Sequence, residues 1–310
     1  MVYLVESKRG QKTYYYLAEV IKLPNKKRKQ IRKYIGDKKP SETKLEIISA
    51  QFKEEIEKEK FKLLGHHYLL PNEIDAVDKI NSDFLKRFKQ LNPTEKKQFW
   101  QNFVITFVYN SNSIEGSTLT AKEVELLLEE NISPNKDLED VLEAKNAQKA
   151  LEYLKESKEE ITDKLLHILH EMYFKDTKPF IARKYKTKDN LVRGAHFETS
   201  PARYVITDMK NYFDEYNNLK KKLHPLELAA WVHWKLERIH PFQDGNGRIG
   251  RLTLNQILNL NNYQMINIKT KEKASYFKAL KRCDKENTGE PLARLLVKRF
   301  EKQYKNALKR

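Results

Sequence analysis

The 310-residue sequence predicts a mainly α protein, with a helical core carrying one short β-hairpin flap, preceded by a small N-terminal β-meander and helices. Three observations predict it. From Ser41 onward, apolar residues recur at helical spacing against charged faces. Residues 178–205 interrupt that rhythm. Residues 1–40 instead hold short Val-, Tyr- and Leu-rich runs broken by polar turns.

Taken in order, residues 2–6, 13–21 and 30–35 read as three antiparallel strands, the last stopped by Gly36-Asp37. Three strands with few large apolar residues are marginal alone and need something to pack on. Leu45, Ile47, Ile48, Phe52, Ile56 and Phe61 mark a helix that Gly65 can end, and residues 72–92 mark another. Residues 1–40 are therefore expected to be a basic meander, 41–93 a helical linker region, and 94–310 one helical domain. In that domain Trp100, Phe103, Val104, Phe107 and Val108 form one stripe. Thr120-Ala-Lys-Glu123 is a capping-box pattern opening the next helix. Helices are then expected over 138–154, 161–173, 206–219, 226–239 and 249–260. Lys184–Lys186 and Asn190–Val192 suggest the hairpin, with Gly194 as punctuation.

Composition bounds the function. A hydrophobic content of 39% suffices for a packed core. No apolar run approaches the roughly 20 residues of a membrane span, so no membrane partner is expected. The N-terminus lacks the order of a secretory signal, and Cys283 is the only cysteine. Both fit a reducing, cytoplasmic location. The net charge of +17 is uneven, since residues 1–40 hold 12 Lys/Arg against 3 Asp/Glu. Such an arm can attract nucleic acid by counterion release, although a lysine-rich solvated surface explains it as well.

The most informative stretch is His240-Pro-Phe-Gln-Asp244-Gly-Asn-Gly-Arg248-Ile-Gly-Arg251. Pro241 disfavours helical geometry at His240 and presents it at a helix exit. Gly245 and Gly247 permit unusual backbone angles and close approach to a ligand, and Asn246 tolerates such angles. A helix expected to begin near Arg248 would aim its free N–H groups at the same spot, forming an anion nest suited to phosphate. Arg248 and Arg251 share one helix face and can fork onto phosphate oxygens. Asp244 is a single carboxylate of the kind that holds Mg²⁺ together with substrate phosphates. His240, with an ordinary pKa of about 6.5, can deprotonate an attacking hydroxyl.

These residues resemble the Fic family signature, His-Pro-Phe-x-Asp-Gly-Asn-Gly-Arg-x-x-Arg, at every defined position, with looser similarity over residues 95–300. The resemblance implies a helical protein that transfers AMP from ATP to a hydroxyl side chain (Ser, Thr or Tyr) of a target protein, releasing pyrophosphate. It implies that His240 is the base and Asp244 the Mg²⁺ ligand. Gly245, Asn246 and Gly247 would hold the α- and β-phosphates, with Arg248 on the phosphates and Arg251 on the γ-phosphate. Gly247, where the related Doc branch carries lysine, favours nucleotidyl over phosphate transfer. Ser111-Asn-Ser-Ile-Glu115-Gly116 resembles the family's inhibitory motif, in which Glu115 would pair with Arg251 and deny it to ATP. Read alone, the same six residues are a helix end with Gly116 as its stop.

The resemblance also implies a flap that aligns the target by strand addition. Leu191, Val192, Arg193 and Gly194 are assigned to it, although Arg183–Lys186 departs from the family's Gly-x-Tyr-Arg at the hairpin start. Tyr276 falls in a segment resembling the one that contacts base or ribose, but an aromatic at helical spacing also reads as core. His233 reads as a packing residue, and His66, His67, His167 and His170 as structural. The expected cofactor is Mg²⁺ and the expected substrate ATP, with an unidentified target protein, self-modification and a homodimer all compatible. Two alternatives are removal of AMP from a modified protein, with Glu115 orienting water, and a nucleic-acid-binding regulator acting through residues 1–40.

Overall fold

The computed structural model describes residues 2–22, 28–64, 68–190 and 199–308. The chain divides into two units, Met1–Asp75 and Ala76–Arg310.

In the first unit, strands β1 (Tyr3–Arg9), β2 (Lys12–Lys22) and β3 (Arg28–Gly36) form an antiparallel sheet in the order β1-β2-β3. Tyr3 pairs with Ala18, Arg9 with Lys12 and Tyr16 with Tyr34, with an irregularity between Tyr15 and Tyr16. Helix α1 (Glu42–Leu64) covers this sheet, and Phe52 and Ile56 bury against Leu17. Ile31, Ile35, Leu45 and Ile48 close around them. The meander's missing apolar face is thus supplied by α1. Sheet and helix share one core, so the division falls after Asp75 rather than at residues 40 and 93.

The division falls within helix α2 (Pro71–Gln90). The second unit continues through α3 (Pro93–Glu115), α4 (Ala121–Glu129), α5 (Leu138–Glu156) and α6 (Asp163–Phe174). It is completed by α7 (Val205–Leu219), α8 (Pro225–Ile239), α9 (Asn246–Leu260), α10 (Lys273–Glu286) and α11 (Glu290–Tyr304). Capping boxes open α3 at Asn92/Glu95 and α4 at Thr120/Glu123. Each such cap contributes about 1 kcal/mol by satisfying free helical N–H groups.

Helix α8 is buried nearly all round, with Trp231, Val232, Trp234 and Leu236 among its enclosed residues. A helix apolar on every side belongs at the centre of a bundle, and α8 packs on α7, α9, α10 and α11. Helix α9 is buried through Asn246 and Arg248–Leu258 and also meets α3, α5 and α6. The loop joining α8 to α9 is therefore anchored at both ends in the core. No helix among the described residues is long and apolar enough to cross a membrane.

Candidate active site

His240 ends α8 in the left-handed conformation, φ 54° and ψ 58°, and its N–H still donates to Leu236 O. A non-glycine residue held there is strained by about 1–2 kcal/mol, and Pro241 leaves it no helical alternative. The imidazole Nδ1 lies 3.2 Å from the Glu237 carbonyl oxygen. A carbonyl only accepts, so Nδ1 carries the proton and Nε2 keeps its lone pair. Burial lowers the imidazole to about 4. His240 is therefore neutral at pH 7.

The loop is locked by its own asparagine. Asn246 Oδ1 accepts from Phe242 N at 2.9 Å and its Nδ2 donates to Phe242 O at 2.8 Å. That side chain is spent on the loop, so Asn246 meets a ligand through its backbone only. Helix α9 starts at Asn246, two residues earlier than the expected start near Arg248, because Gly245 takes the N-cap at φ 83°. The two loop glycines have different reasons. Gly245 needs its left-handed angle, and a Cβ there would overlap the Phe174 ring. Gly247 is helical, and its missing side chain opens a space that the Glu115 carboxylate fills.

From below, His170 on α6 holds the loop. Its Nδ1 accepts from Arg183 N at 3.0 Å, so Nε2 donates to Asp244 O at 3.1 Å. Its ring stacks on Phe242 with centroids 4.0 Å apart. Burial lowers His170 to about 4, keeping it neutral.

Asp244 accepts from Gly245 N at 2.6 Å and from Arg248 Nη2 at 3.0 Å through Oδ1, and from Lys178 Nζ at 2.6 Å through Oδ2. Burial would raise this carboxyl, but Arg248 and Lys178 outweigh it and bring it to about 2. Arg248 also pairs with Glu143 of α5. Among the described residues no three His, Cys, Asp or Glu cluster to hold a metal. Mg²⁺ commonly takes one carboxylate plus substrate phosphates. Asp244 Oδ2, a hard oxygen already bearing an ammonium, fits that demand.

Arg251 is 3% exposed. Its Nε donates to Ser111 Oγ at 3.1 Å, and its Nη2 to Ser111 O at 2.9 Å and Glu115 Oε1 at 2.7 Å. Its Nη1 is buried without a hydrogen-bond partner among the described residues and faces the space above Gly247. Burial would raise Glu115, but the Arg251 charge and hydrogen bond prevail and lower it. Ser111 and Glu115 thus meet Arg251, and Glu115 also fills the space at Gly247, while Gly116 ends α3 in the left-handed conformation at φ 109°.

Other expected residues lie less directly at the site. Tyr276 has no exposed surface and meets His233 Nε2 at 2.5 Å. His233 packs against Gly250, where a Cβ would overlap its ring, as suits a packing residue. Leu191, Val192, Arg193 and Gly194, like His66 and His67, lie outside the described residues. Of the expected first flap strand there is one bridge, Tyr185 to Phe242, with Lys186 N donating to Pro241 O at 2.8 Å. A cavity of about 660 Å³ lined by Phe88, Trp100 and Tyr263 shares no residue with the site. Glu143, Lys178 and Glu237 escaped sequence reasoning. They come from α5, from the turn after α6 and from the last turn of α8, where a charged residue looks like any solvated one.

A neutral imidazole, a carboxylate and a glycine-opened helix N-terminus with two arginines come together on one loop of a helical unit, an arrangement suited to holding an anion. Residues 160–258 match the Fic/DOC family. The protein adenylyltransferase Fic of Drosophila willistoni is 29% identical over 234 residues, 74% of this chain and 44% of that protein. That of Nematostella vectensis is 29% identical over 184 residues, 57% of this chain and 42% of that protein. A Fic domain containing signaling protein from Bacteroides thetaiotaomicron superposes with a TM-score of 0.68 at 28% identity, over 76% of this chain and 95% of that one. Fic-1 from C. elegans (residues 134–508) shares the fold, with a TM-score of 0.67 at 23% identity over 86% of this chain and 77% of that one. The chain spans 44% of the length of the first of these curated relatives.

Proposed function

We propose that this protein transfers AMP from ATP to a hydroxyl side chain of a target protein, and that Glu115 restrains it. The observation that carries the reading is a carboxylate seated in an anion site. Glu115 lies at the glycine-opened start of α9 and on Arg251, where a phosphate would find the same donors. The similarity to proteins named adenylyltransferase supports the same chemistry.

In this reading the target hydroxyl gives its proton to His240 Nε2 as its oxygen attacks the α-phosphorus. The bond from that phosphorus to the bridging oxygen breaks, and pyrophosphate leaves with the electron pair. The Nδ1–H bond to the Glu237 carbonyl holds the ring in the tautomer this needs. The free N–H groups of the first turn of α9 and Arg248 bind the phosphates, and Arg251 takes the γ-phosphate once Glu115 withdraws. Mg²⁺, when bound, neutralises phosphate charge, and Asp244 is the residue that would hold it.

A carboxylate and a phosphate compete for one guanidinium fork, so removing the carboxylate should release the enzyme. Glu115→Gly protein incubated with ATP and Mg²⁺ is expected to gain the mass of one or more AMP groups by self-modification. The gain should vanish in the added His240→Ala variant. Equal labelling of Glu115→Gly and unaltered protein would remove the restraint. A gain that survives His240→Ala would remove the base.

A further inference from the structure

A lysine already occupies the carboxylate oxygen that a metal would need. Asp244 Oδ1 is engaged by Arg248 and Gly245, and Oδ2 faces Lys178 Nζ at 2.6 Å. Lys178 does not depend on Asp244 for its place. The same Nζ lies 2.6 Å from Glu139 Oε1 and 3.3 Å from Glu143 Oε1, both on α5. Its ammonium therefore sits among three carboxylates and keeps two of them if it leaves the third. Lys178 follows the end of α6, in a turn where its backbone N–H donates to Phe174 O. The stem is fixed while the flexible side chain can swing.

We infer that Lys178 is a tethered counter-ion that guards Asp244 against a divalent cation and steps back onto Glu139 when the cation arrives. This rests on the reading of Asp244 as the metal-holding residue. A lone carboxylate beside a competing ammonium binds a divalent ion weakly. The same carboxylate with phosphate oxygens added to the coordination binds it well. Lys178 thereby biases the site toward a cation that enters together with nucleotide phosphates. It is a positioning residue and touches no reacting atom. Glu139, half-exposed at the start of α5, is its resting partner and acts on the metal through Lys178.

The test is binding of Mn²⁺ alone to the full chain, followed by the electron paramagnetic resonance signal of the free ion. Lys178→Met should tighten the Asp244-dependent binding by up to about fivefold, the upper end for one partly exposed ion pair. Glu139→Gln should weaken it, because Lys178 then loses the nearer of its two alternative partners. In the Lys178→Met background, Glu139→Gln should change little, and that non-additivity separates a relay through Lys178 from a general loss of negative charge. Lys178→Gln repeats the measurement should the methionine variant unfold. If Asp244→Asn leaves Mn²⁺ binding unchanged in every background, Asp244 is not the metal residue. If binding does depend on Asp244 but Lys178→Met leaves it unchanged or weaker, or if Glu139→Gln acts equally with and without Lys178, the counter-ion role is overturned.

Discussion

At the scale of single residues the site turns on the space above Gly247. A glycine in regular helix costs about 0.5–1 kcal/mol relative to alanine, and Gly247 has helical geometry that alanine could adopt. What forbids a side chain is occupancy, since a Cβ would overlap Glu115 Oε1 and lie 3.1 Å from Arg251 Nη1. Two effects of Gly247→Ala therefore separate. The Cβ should displace the Glu115 carboxylate, as Glu115→Gly does, but it should also fill the space the phosphates need. Gly247→Ala is expected to be less stable than the unaltered protein, because the buried Arg251 loses its carboxylate partner, and to show no gain in self-labelling. Labelling at the level of Glu115→Gly would mean that phosphate does not use this nest. Arg251 gives the complementary view. Three of its contacts come from Ser111 and Glu115, a residue pair on another helix, so the restraint proposed above would depend on α3's position as much as on one carboxylate.

At the scale of elements, then, the end of α3 needs its own support. The last carbonyls of a helix lack internal partners and attract cations. Here Arg251 donates to Ser111 O, and Lys273 Nζ donates to Ile114 O at 2.6 Å. Asn110 Oδ1 accepts from Thr270 N at 2.8 Å, tying α3 to the turn that precedes α10. Lys273→Met cuts one tie without touching Glu115. It should raise self-labelling a few-fold, well short of Glu115→Gly, and an unchanged rate would show that the helix end holds without it. These ties also mark what was legible in the sequence. The motif loop was, because its base, carboxylate, glycines and arginines fall within twelve consecutive residues and the loop carries its own geometry. Glu115 stood out only through the family resemblance, since its six residues read alone as a helix end. Lys273, Lys178, Glu143 and His170 were not legible. Each reaches the site from an element remote in sequence, and only packing selects it from the other charged or aromatic residues of its helix. The start of α9 was misplaced for a related reason. Asn246 looked like a loop amide, yet its side chain closes a ring with Phe242 that lets the helix begin at once. The first unit was misdivided because amphipathic spacing in α1 announces a buried face without naming what buries it.

At the scale of the whole molecule, the groups of the helical unit that burial shifts furthest between about pH 3 and 8 are three imidazoles and the Glu237 carboxyl, and they make folding depend on pH. Burial lowers His240 and His170 to about 4 and His233 to about 3. Below pH 6.5 the unfolded chain protonates these histidines while the folded protein does not. The unfolded state then binds more protons, and stability present above pH 6.5 is lost as pH falls toward 4. Glu237 works in the opposite sense. Burial and the nearby Glu115 raise it to about 8, so the folded state holds a proton that the unfolded chain sheds above about pH 4.5. Its contribution is full below pH 4.5 and disappears as pH rises through 8. Between pH 7 and 5 each histidine costs about 2 kcal/mol and Glu237 returns about 3 kcal/mol, which leaves a net loss of about 3 kcal/mol. For a unit of this size that corresponds to a fall in midpoint of roughly 5–10 °C. Calorimetric scans at pH 7 and pH 5 measure it. His233→Gln, which retains a polar partner for Tyr276, should start from a lower midpoint yet lose about two-thirds less between the two pH values. An identical pH slope in that variant would mean that the acid sensitivity arises from surface carboxylates and not from the buried imidazoles that frame the site.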